Sequence, residues 1–245
     1  MLLEQARDDV VRTCRDLAAA GLVVGTSGNV SVRAGDLVAV SPSGLDYAEL
    51  TPGLVGVHRL DGSAVEAPLR PSTEMPLHLG IYAATGAGAV VHTHSVAATA
   101  LSTLADELPA IHYYVAMFGG PVAVAPYATY GTDELAGYVV AALGGRTACL
   151  MANHGAVTTG ADLKSALAGS RYLEWLCEVY LRVLSAGRSQ LTPRLLPADE
   201  IALVAGQLAG YGQQVPGRPD RQGRDRRGPD EQGPDEQEPD QQRPM

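Results

Sequence analysis

Short β-type runs joined by tight turns constrain the fold of this chain more than any other feature of its sequence. Residues 29–33 and 36–40 have the pattern of strands, and Ala34-Gly35 between them is typical of a hairpin turn. A further strand is predicted at 55–60. Hairpins join antiparallel neighbours, whereas a doubly wound parallel sheet needs long crossover connections. This part of the chain therefore favours a mixed or largely antiparallel sheet.

Segments with helical spacing surround and follow these strands. Apolar residues at helical spacing from Leu3 to Leu17 predict an opening helix that ends at Gly21. Later in the chain, helices alternate with short apolar runs, so the fold class is α/β, with helices covering the sheet. The later predicted strands are 89–94, 121–125 and 147–152, and the later predicted helices are 73–82, 96–104, 132–142, 162–186 and 198–209.

Bulk composition limits the classes of partner and compartment. A chain of 245 residues with 46% hydrophobic residues can bury the core of one ordinary domain. Its net charge of -9 argues against nucleic acid as the main partner, because phosphate binding needs clustered Lys and Arg. No apolar run has the length of a membrane span, the N-terminus is unlike a signal peptide, and the three cysteines suggest no disulfide framework. We therefore expect a cytoplasmic protein that does not engage a membrane.

The C-terminal segment has a different composition from the rest. From Gln213 it consists mainly of Pro, Gly, Gln, Asp and Arg, and it repeats Gly-Pro-Asp-Glu-Gln at 228–232 and 233–237. Such a segment cannot bury enough apolar surface to offset the entropy of ordering. The expected organisation is a folded domain over 1–212 and a disordered tail over 213–245, either a solvated appendage or a partner-binding arm.

Three histidines are the strongest indication of chemistry. His92 and His94 end an apolar strand, and residues two apart on a strand point to the same face, where they can bind one ion. His154 follows another predicted strand and precedes Gly155, which permits a sharp turn. Three neutral imidazoles with an open fourth position are typical of a catalytic zinc site. Histidines held by hydrogen bonds in the core or at the surface remain the alternative at this point.

Glu74 and three small-residue loops extend the candidate site. Glu74 follows Ser72 and Thr73 at the start of a predicted helix, where acids are common for structural reasons; a carboxylate beside a metal, as ligand or general base, is the functional alternative. The loops 25–29, 41–44 and 72–73 can present backbone N–H groups and hydroxyls to an oxyanion. Individually they are compatible with ordinary turns, and together they resemble a phosphate cradle.

Seven motifs in the same order and spacing give the chain a resemblance to the class II aldolase and adducin-head family, most closely to its L-fuculose 1-phosphate aldolase branch. The resemblance covers about residues 1–211. The motifs are GTSGNVSVR, SPSG, RPSTE, AVVHTHSVAATALS, LPAIHYYVAMFGG, APYATYGT and NHGAV.

The resemblance implies a three-layer α/β/α fold with a mixed, largely antiparallel central sheet, in a homotetramer whose active sites lie at subunit interfaces. It implies that His92, His94 and His154 bind Zn²⁺, or another divalent ion such as Mn²⁺, and that Glu74 is catalytic and a possible fourth ligand. Tyr113 would donate a proton from a neighbouring subunit, and Tyr211 would be an accessory residue near the site. The residues matching the family's phosphate loops are Gly28, Asn29, Ser43, Gly44, Ser72 and Thr73.

The implied activity is that of a metal-dependent aldehyde-lyase of carbohydrate metabolism. It would cleave a sugar phosphate, either L-fuculose 1-phosphate or a 5-deoxy or 5-substituted ribulose 1-phosphate, reversibly into dihydroxyacetone phosphate and a small aldehyde. The apolar Met117 and Phe118 after Tyr113 make the ribulose derivatives plausible. Zinc would stabilise the enediolate in place of a Schiff-base lysine, and the only lysine, Lys164, stands in a predicted exposed helix.

Three alternatives stay open within the resemblance. A pentulose phosphate 4-epimerase would have Asp in place of Glu74 and a different region around Tyr113. A methylthioribulose 1-phosphate dehydratase shares the zinc and phosphate sites. A non-catalytic binding module of the adducin-head type would have lost its metal ligands, whereas all three histidines are present here.

Overall fold

The first part of the chain forms the hairpin-linked strands that its sequence predicts. The structure is a computed structural model that describes residues 1–186 and 192–211. Gly35 has a positive φ of 62°, a conformation that glycine adopts without strain, and it closes the first hairpin. The elements here are α1 (Glu4–Ala19), β1 (Asn29–Ala34), β2 (Leu37–Val40), a 3₁₀ helix (Pro52–Leu54), β3 (Gly56–Arg59) and β4 (Ala64–Glu66).

The remaining elements alternate between helix and strand. Three strands were not predicted, namely β4, β6 and β9, because β4 and β6 are very short and β9 is bounded by glycines that resemble turn residues. The elements are α2 (Met75–Ala84), β5 (Ala89–Thr93), α3 (Val96–Ser102), β6 (Glu107–Leu108), a 3₁₀ helix (Tyr113–Phe118), β7 (Val122–Ala125), α4 (Asp133–Leu143), β8 (Ala148–Met151), β9 (Gly155–Gly160), α5 (Leu163–Ala186) and α6 (Ala198–Ala209).

The strands form one mixed sheet in the order β4-β3-β2-β1-β5-β9-β8-β7-β6. Strands β7 and β8 are parallel, and every other neighbouring pair is antiparallel. The prediction of a mixed, largely antiparallel sheet is therefore confirmed. Strand β5 lies between β1 and β9. Three segments that are distant in sequence therefore lie side by side here.

Helices cover both faces of the sheet, which confirms the three-layer α/β/α arrangement. On one face, α1, α3 and α5 pack on alternate residues of the strands, for example Val91 of β5. On the other face, α2 and α4 pack on the residues between them, for example Val90. This alternation follows from the two-residue period of a strand. It places His92, two residues after Val90, on the face that α2 covers.

The segment from Met1 to Ala209 is one compact unit. The tail predicted from Gln213 onward lies outside the described residues, so its disorder stays a prediction. Among residues 1–186 and 192–211, no helix is both long and apolar enough to cross a membrane. The three cysteines are buried and unpaired.

Candidate metal centre and substrate cleft

Strand pairing sets the position of the first two histidines. In the antiparallel ladder between β1 and β5, Asn29 lies directly opposite His92. On the other side of β5, Val157 of β9 lies opposite His92. His92 is therefore fixed between two strands and is fully buried, while His94 emerges just beyond the end of β5 and is half-buried. The H-x-H pair thus points from the sheet toward the N-terminal end of α2.

A tight turn between β8 and β9 brings His154 beside this pair. Asn153 has a left-handed φ of 56°, which Asn tolerates better than most residues, and the backbone N–H of His154 donates to the carbonyl of Met151 at 3.1 Å. A Cβ atom on Gly155 would lie 2.2 Å from the carbonyl oxygen of Thr93. Glycine is therefore required because the turn packs directly against the end of β5.

Glu74 enters the site from the residue that precedes α2, and not from the first turn of the helix as its sequence predicts. Its backbone N–H donates to Ser72 Oγ at 3.2 Å, while its carboxylate makes no capping bond to the helix. The side chain is instead turned toward the sheet and is 5% exposed. The start of α2 thus supplies a buried carboxylate opposite the histidines.

The four side chains form one cluster. Ligand atoms of Glu74, His92, His94 and His154 all lie within 4.8 Å of one another. Glu74 Oε2 is 3.0 Å from His92 Nε2, and Glu74 Oε1 is 3.4 Å from His154 Nε2. The Nε2 atoms of His92 and His94 are 2.9 Å apart. Asn29 Nδ2 donates to Glu74 Oε2 at 3.0 Å.

Hydrogen bonding around the cluster fits a bound cation. His92 Nδ1 lies 2.9 Å from the carbonyl oxygen of Ala156, which can only accept, so Nδ1 carries a proton and Nε2 is the atom left to face the cluster. His92 Nε2 faces a second imidazole nitrogen and a carboxylate oxygen. Glu74 Oε1 is buried without a hydrogen-bond partner. A divalent cation would satisfy these converging atoms, and three imidazoles with a carboxylate suit a transition metal such as zinc.

Local electrostatics keep these groups in the protonation states that a metal requires. Burial, together with charge on neighbouring histidines, lowers the pKa of His94 and of His154 to about 4. Burial raises the pKa of Glu74, but the nearby His92 and His154 and the hydrogen bond from Asn29 outweigh it, so the pKa falls well below its usual range. At neutral pH the two imidazoles are therefore neutral and the carboxylate is charged, which are the states that metal binding needs.

A cleft of about 350 Å³ opens beside the cluster. All six residues expected from the phosphate loops line it, together with Glu74, His94 and His154, whereas His92 lies behind its wall. Seven further residues line the cleft, and three of these stand in the predicted loops 25–29 and 41–44, namely Thr26, Ser27 and Pro42. The other four had no predicted role, although each stands inside one of the motifs that carry the resemblance: Tyr127, Ala128, Tyr130 and Asn153.

Backbone hydrogen bonds join the small-residue loops into one wall. Ser43 N–H donates to the carbonyl of Arg70, and Ser72 N–H donates to the carbonyl of Ser41, each at 3.1 Å. Tyr47 stabilises the loop at 25–29, because its hydroxyl donates to the carbonyl of Gly28 at 2.8 Å. The loops that are separate in sequence are therefore one polar surface, with N–H groups and hydroxyls available for an anion.

Other residues singled out from the sequence lie away from this cleft. Tyr113 is 42% exposed in the 3₁₀ helix, with its ring stacked on His112 at 4.4 Å, and it does not line the cleft of its own chain. Phe118 is buried in the core and Met117 is exposed, and neither lines the cleft. Tyr211 is exposed and lies beyond the compact unit, so its accessory role stays a prediction.

Comparison with known proteins places this geometry in context. Residues 8–181 match the family model described as the class II aldolase and adducin N-terminal domain. A 5-deoxy-D-ribulose 1-phosphate aldolase from Bacillus thuringiensis is 39% identical, over 87% of this chain and 100% of its own. A 5-methylthioribulose-1-phosphate/5-deoxyribulose-1-phosphate aldolase from Rhodospirillum rubrum is 41% identical, over 87% of this chain and 96% of its own. A solved L-fuculose 1-phosphate aldolase superposes with a TM-score of 0.81 at 34% identity, covering 85% of this chain and 98% of that one.

Proposed function

This chain belongs to the class II aldolase and adducin N-terminal domain family, and on that premise we propose that it cleaves a ketose 1-phosphate reversibly into dihydroxyacetone phosphate and a small aldehyde. It is a class II aldolase, an aldehyde-lyase. The proposed substrates are 5-deoxyribulose 1-phosphate, its 5-substituted derivatives and L-fuculose 1-phosphate. Cleavage between the third and fourth carbons of each of these sugars leaves dihydroxyacetone phosphate. Only the aldehyde product differs between the substrates.

The observation that carries the proposal is the position of Glu74 between the histidine cluster and the loops that line the same cleft. Glu74 Oε2 is 3.0 Å from His92 Nε2, and in the chain Glu74 directly follows Ser72 and Thr73, which line the cleft. A substrate whose phosphate lies on the loops therefore has its carbonyl end near the cluster.

Each part of the cleft has a separate task in the cleavage. The loops hold the phosphate through N–H groups and hydroxyls. Glu74 moves a proton to and from the carbon next to the ketone, which keeps the electron pair when the carbon–carbon bond breaks. A divalent cation held by His92, His94 and His154 would act as a Lewis acid and stabilise negative charge on a substrate oxygen. The burial of Glu74 and His92 strengthens both effects, because charges interact more strongly where the local dielectric is low.

We further propose zinc as the ion, a cytoplasmic location and a homotetramer. Zinc fits the set of three imidazoles and one carboxylate. A homotetramer would allow Tyr113, which is exposed and outside the cleft of its own chain, to enter the cleft of a neighbour and give a proton to the aldehyde oxygen. Analytical ultracentrifugation, and mixing of Tyr113→Phe subunits with subunits that lack a metal ligand, would test this assembly.

The direct test is a product assay. The zinc-containing enzyme is incubated with 5-deoxyribulose 1-phosphate and, separately, with L-fuculose 1-phosphate, and dihydroxyacetone phosphate is measured together with acetaldehyde or lactaldehyde. His94→Ala and chelated protein should lose the reaction, and readdition of zinc or of manganese to chelated protein identifies the effective ion. Loss of water without a new aldehyde would replace the aldolase by a dehydratase, and activity that persists in His94→Ala would remove the role of the metal.

A further inference from the structure

A row of polar side chains runs from the interior of the protein to Glu74. Glu74, His78 and Tyr82 are spaced four residues apart from the start of α2, and Asn29 and Ser31 are spaced two apart on β1. These are the spacings that place side chains on one face of a helix and of a strand. All five side chains are buried between α2 and the sheet. Their alignment is a property of the helix–sheet interface, and only Glu74 of the five belongs to the metal cluster.

Hydrogen bonds connect the row without a break. Tyr82 Oη and Ser31 Oγ are 2.8 Å apart, and Ser31 Oγ is 2.6 Å from His78 Nδ1. His78 Nε2 is 2.5 Å from Asn29 Oδ1. Asn29 Nδ2 then donates to Glu74 Oε2 at 3.0 Å. We call these five residues the donor chain.

The charge on Glu74 sets the direction of every bond in the donor chain. A carboxylate can only accept, so Asn29 must present its amide NH₂ to Glu74 and its oxygen to His78. His78 must then hold its proton on Nε2, which leaves Nδ1 to accept from the Ser31 hydroxyl. Tyr82 in turn donates to Ser31. A flipped amide would place Asn29 Oδ1 against Glu74 Oε2, two acceptors in contact, at the cost of a buried hydrogen bond.

We propose that His78 is a positioning residue that locks the amide of Asn29, so that one N–H of the amide holds Glu74 and the other faces the phosphate end of the cleft. This rests on the proposed function, since Glu74 and Asn29 are its proton carrier and one of its phosphate contacts. His78 is neither one of the four clustered side chains nor a lining residue of the cleft, and its ring nitrogens bond only to Asn29 and Ser31. Its ring therefore acts on the Glu74 carboxylate through Asn29.

The surroundings of the donor chain keep it in the required protonation states. Burial, with charge on the nearby His92, lowers the pKa of His78 to about 3, so its ring is neutral at physiological pH. Burial raises the pKa of Tyr82 well above its usual range, so Tyr82 keeps the proton that it donates. Because Tyr82 keeps its proton at one end of the donor chain and Glu74 is charged at the other, the neutral Nε2–H form of His78 is the form that satisfies every partner.

Three variants test this role in the full-length, zinc-containing enzyme. His78→Phe removes the donor at similar size, His78→Gln keeps an amide that can donate to Asn29, and His58→Phe makes the same change at a buried histidine in β3 outside the donor chain. We expect His78→Phe to lower kcat/KM roughly 10- to 100-fold, as loss of an outer-sphere partner of a metal site typically does. KM and the inhibition constant for inorganic phosphate should both rise, with bound zinc unchanged.

His78→Gln should recover most of the activity, and His58→Phe should keep wild-type kinetics. A folded, zinc-containing His78→Phe enzyme with unchanged kcat/KM and unchanged phosphate inhibition would overturn the proposal. If that variant fails to fold, ¹⁵N NMR of the wild-type histidine rings decides the question, because the proposal requires a protonated Nε2 and an unprotonated Nδ1 on His78. The opposite tautomer, or a charged ring, would also overturn it.

The two proposals fail in different ways. A wild-type enzyme that cleaves none of the ketose 1-phosphates would remove the proposed function, while phosphate binding and the His78 tautomer would still report on the donor chain. A wild-type enzyme that is active, with His78→Phe equally active, would remove the donor chain alone.

Discussion

Gly155 packs against the carbonyl oxygen of Thr93, the residue between His92 and His94, so closely that a Cβ atom would lie 2.2 Å from that oxygen. The contact joins the start of β9 to the end of β5. It therefore sets the distance from His154 to the H-x-H pair. Because both partners are backbone atoms in paired strands, neither can move aside without disturbing the sheet.

Gly155→Ala is expected to weaken metal binding by more than about tenfold and to destabilise the fold by roughly 1–3 kcal/mol, because overpacking forces the strands apart. Gly137→Ala is the matched control, since a Cβ there meets no atom within 4 Å and the residue lies inside α4. That change should stabilise the protein by up to about 1 kcal/mol. Zinc titration and urea unfolding measure both effects, and normal zinc affinity in Gly155→Ala would contradict the prediction.

Glu74→Gln should keep the shape of the site and remove its proton carrier. The amide would also present an NH₂ group toward the donor Asn29 Nδ2 or toward the histidines, so metal binding should weaken as well. We expect kcat to fall roughly 10²- to 10⁴-fold, the usual contribution of general acid–base catalysis. Exchange of a carbon-bound proton of dihydroxyacetone phosphate with solvent deuterium should fall in parallel, and exchange at the wild-type rate would assign the proton to another group.

Stability should depend on pH through His78. Its pKa is about 3 in the folded protein and 6.5 when unperturbed, so between these values the unfolded chain binds more protons. Keeping the buried ring neutral therefore costs folding free energy, and this cost grows as pH falls from about 6.5 toward about 3. Above about pH 6.5, His78 does not contribute to the pH dependence of stability. Urea unfolding of metal-free protein at a series of pH values should show a steeper decline below pH 6.5 for wild type than for His78→Gln. Equal slopes would show that His78 does not titrate on unfolding.

Glu174 should stabilise the segment that follows His94. Its two carboxylate oxygens accept from the backbone N–H groups of Ala97 and Ala98 at 2.8 and 2.9 Å, while the N-cap residue Ser95 makes no side-chain capping bond. Glu174→Ala should cost about 1–2 kcal/mol, the typical value of a lost helix cap, and should lower zinc affinity. Glu178→Ala on the same helix removes only an exposed ion pair with Arg182 and should cost less than about 0.5 kcal/mol. Similar losses in both variants would contradict the capping role.

Much of this protein follows from short-range patterns. The hairpin at Gly35 and the alternation of helices and strands predict the mixed sheet, because turn chemistry and periodicity are local. His92 and His94 share a face because a strand alternates with a period of two. The proximity of Glu74 to the histidines was expected from the family resemblance, and not from any spacing within the chain.

The tertiary structure decided which distant segments meet. The register of β1 on β5 places Asn29 opposite His92, and the unpredicted β9 brings His154 to the same point. The donor chain could not be predicted although its residues are regularly spaced in the sequence. Spacing shows which residues share a face of α2 or of β1, but it does not show that these two faces pack on each other. Strand order and helix packing depend on contacts between residues that are distant in sequence. These contacts bring the three histidines, the carboxylate and the small-residue loops together at one site.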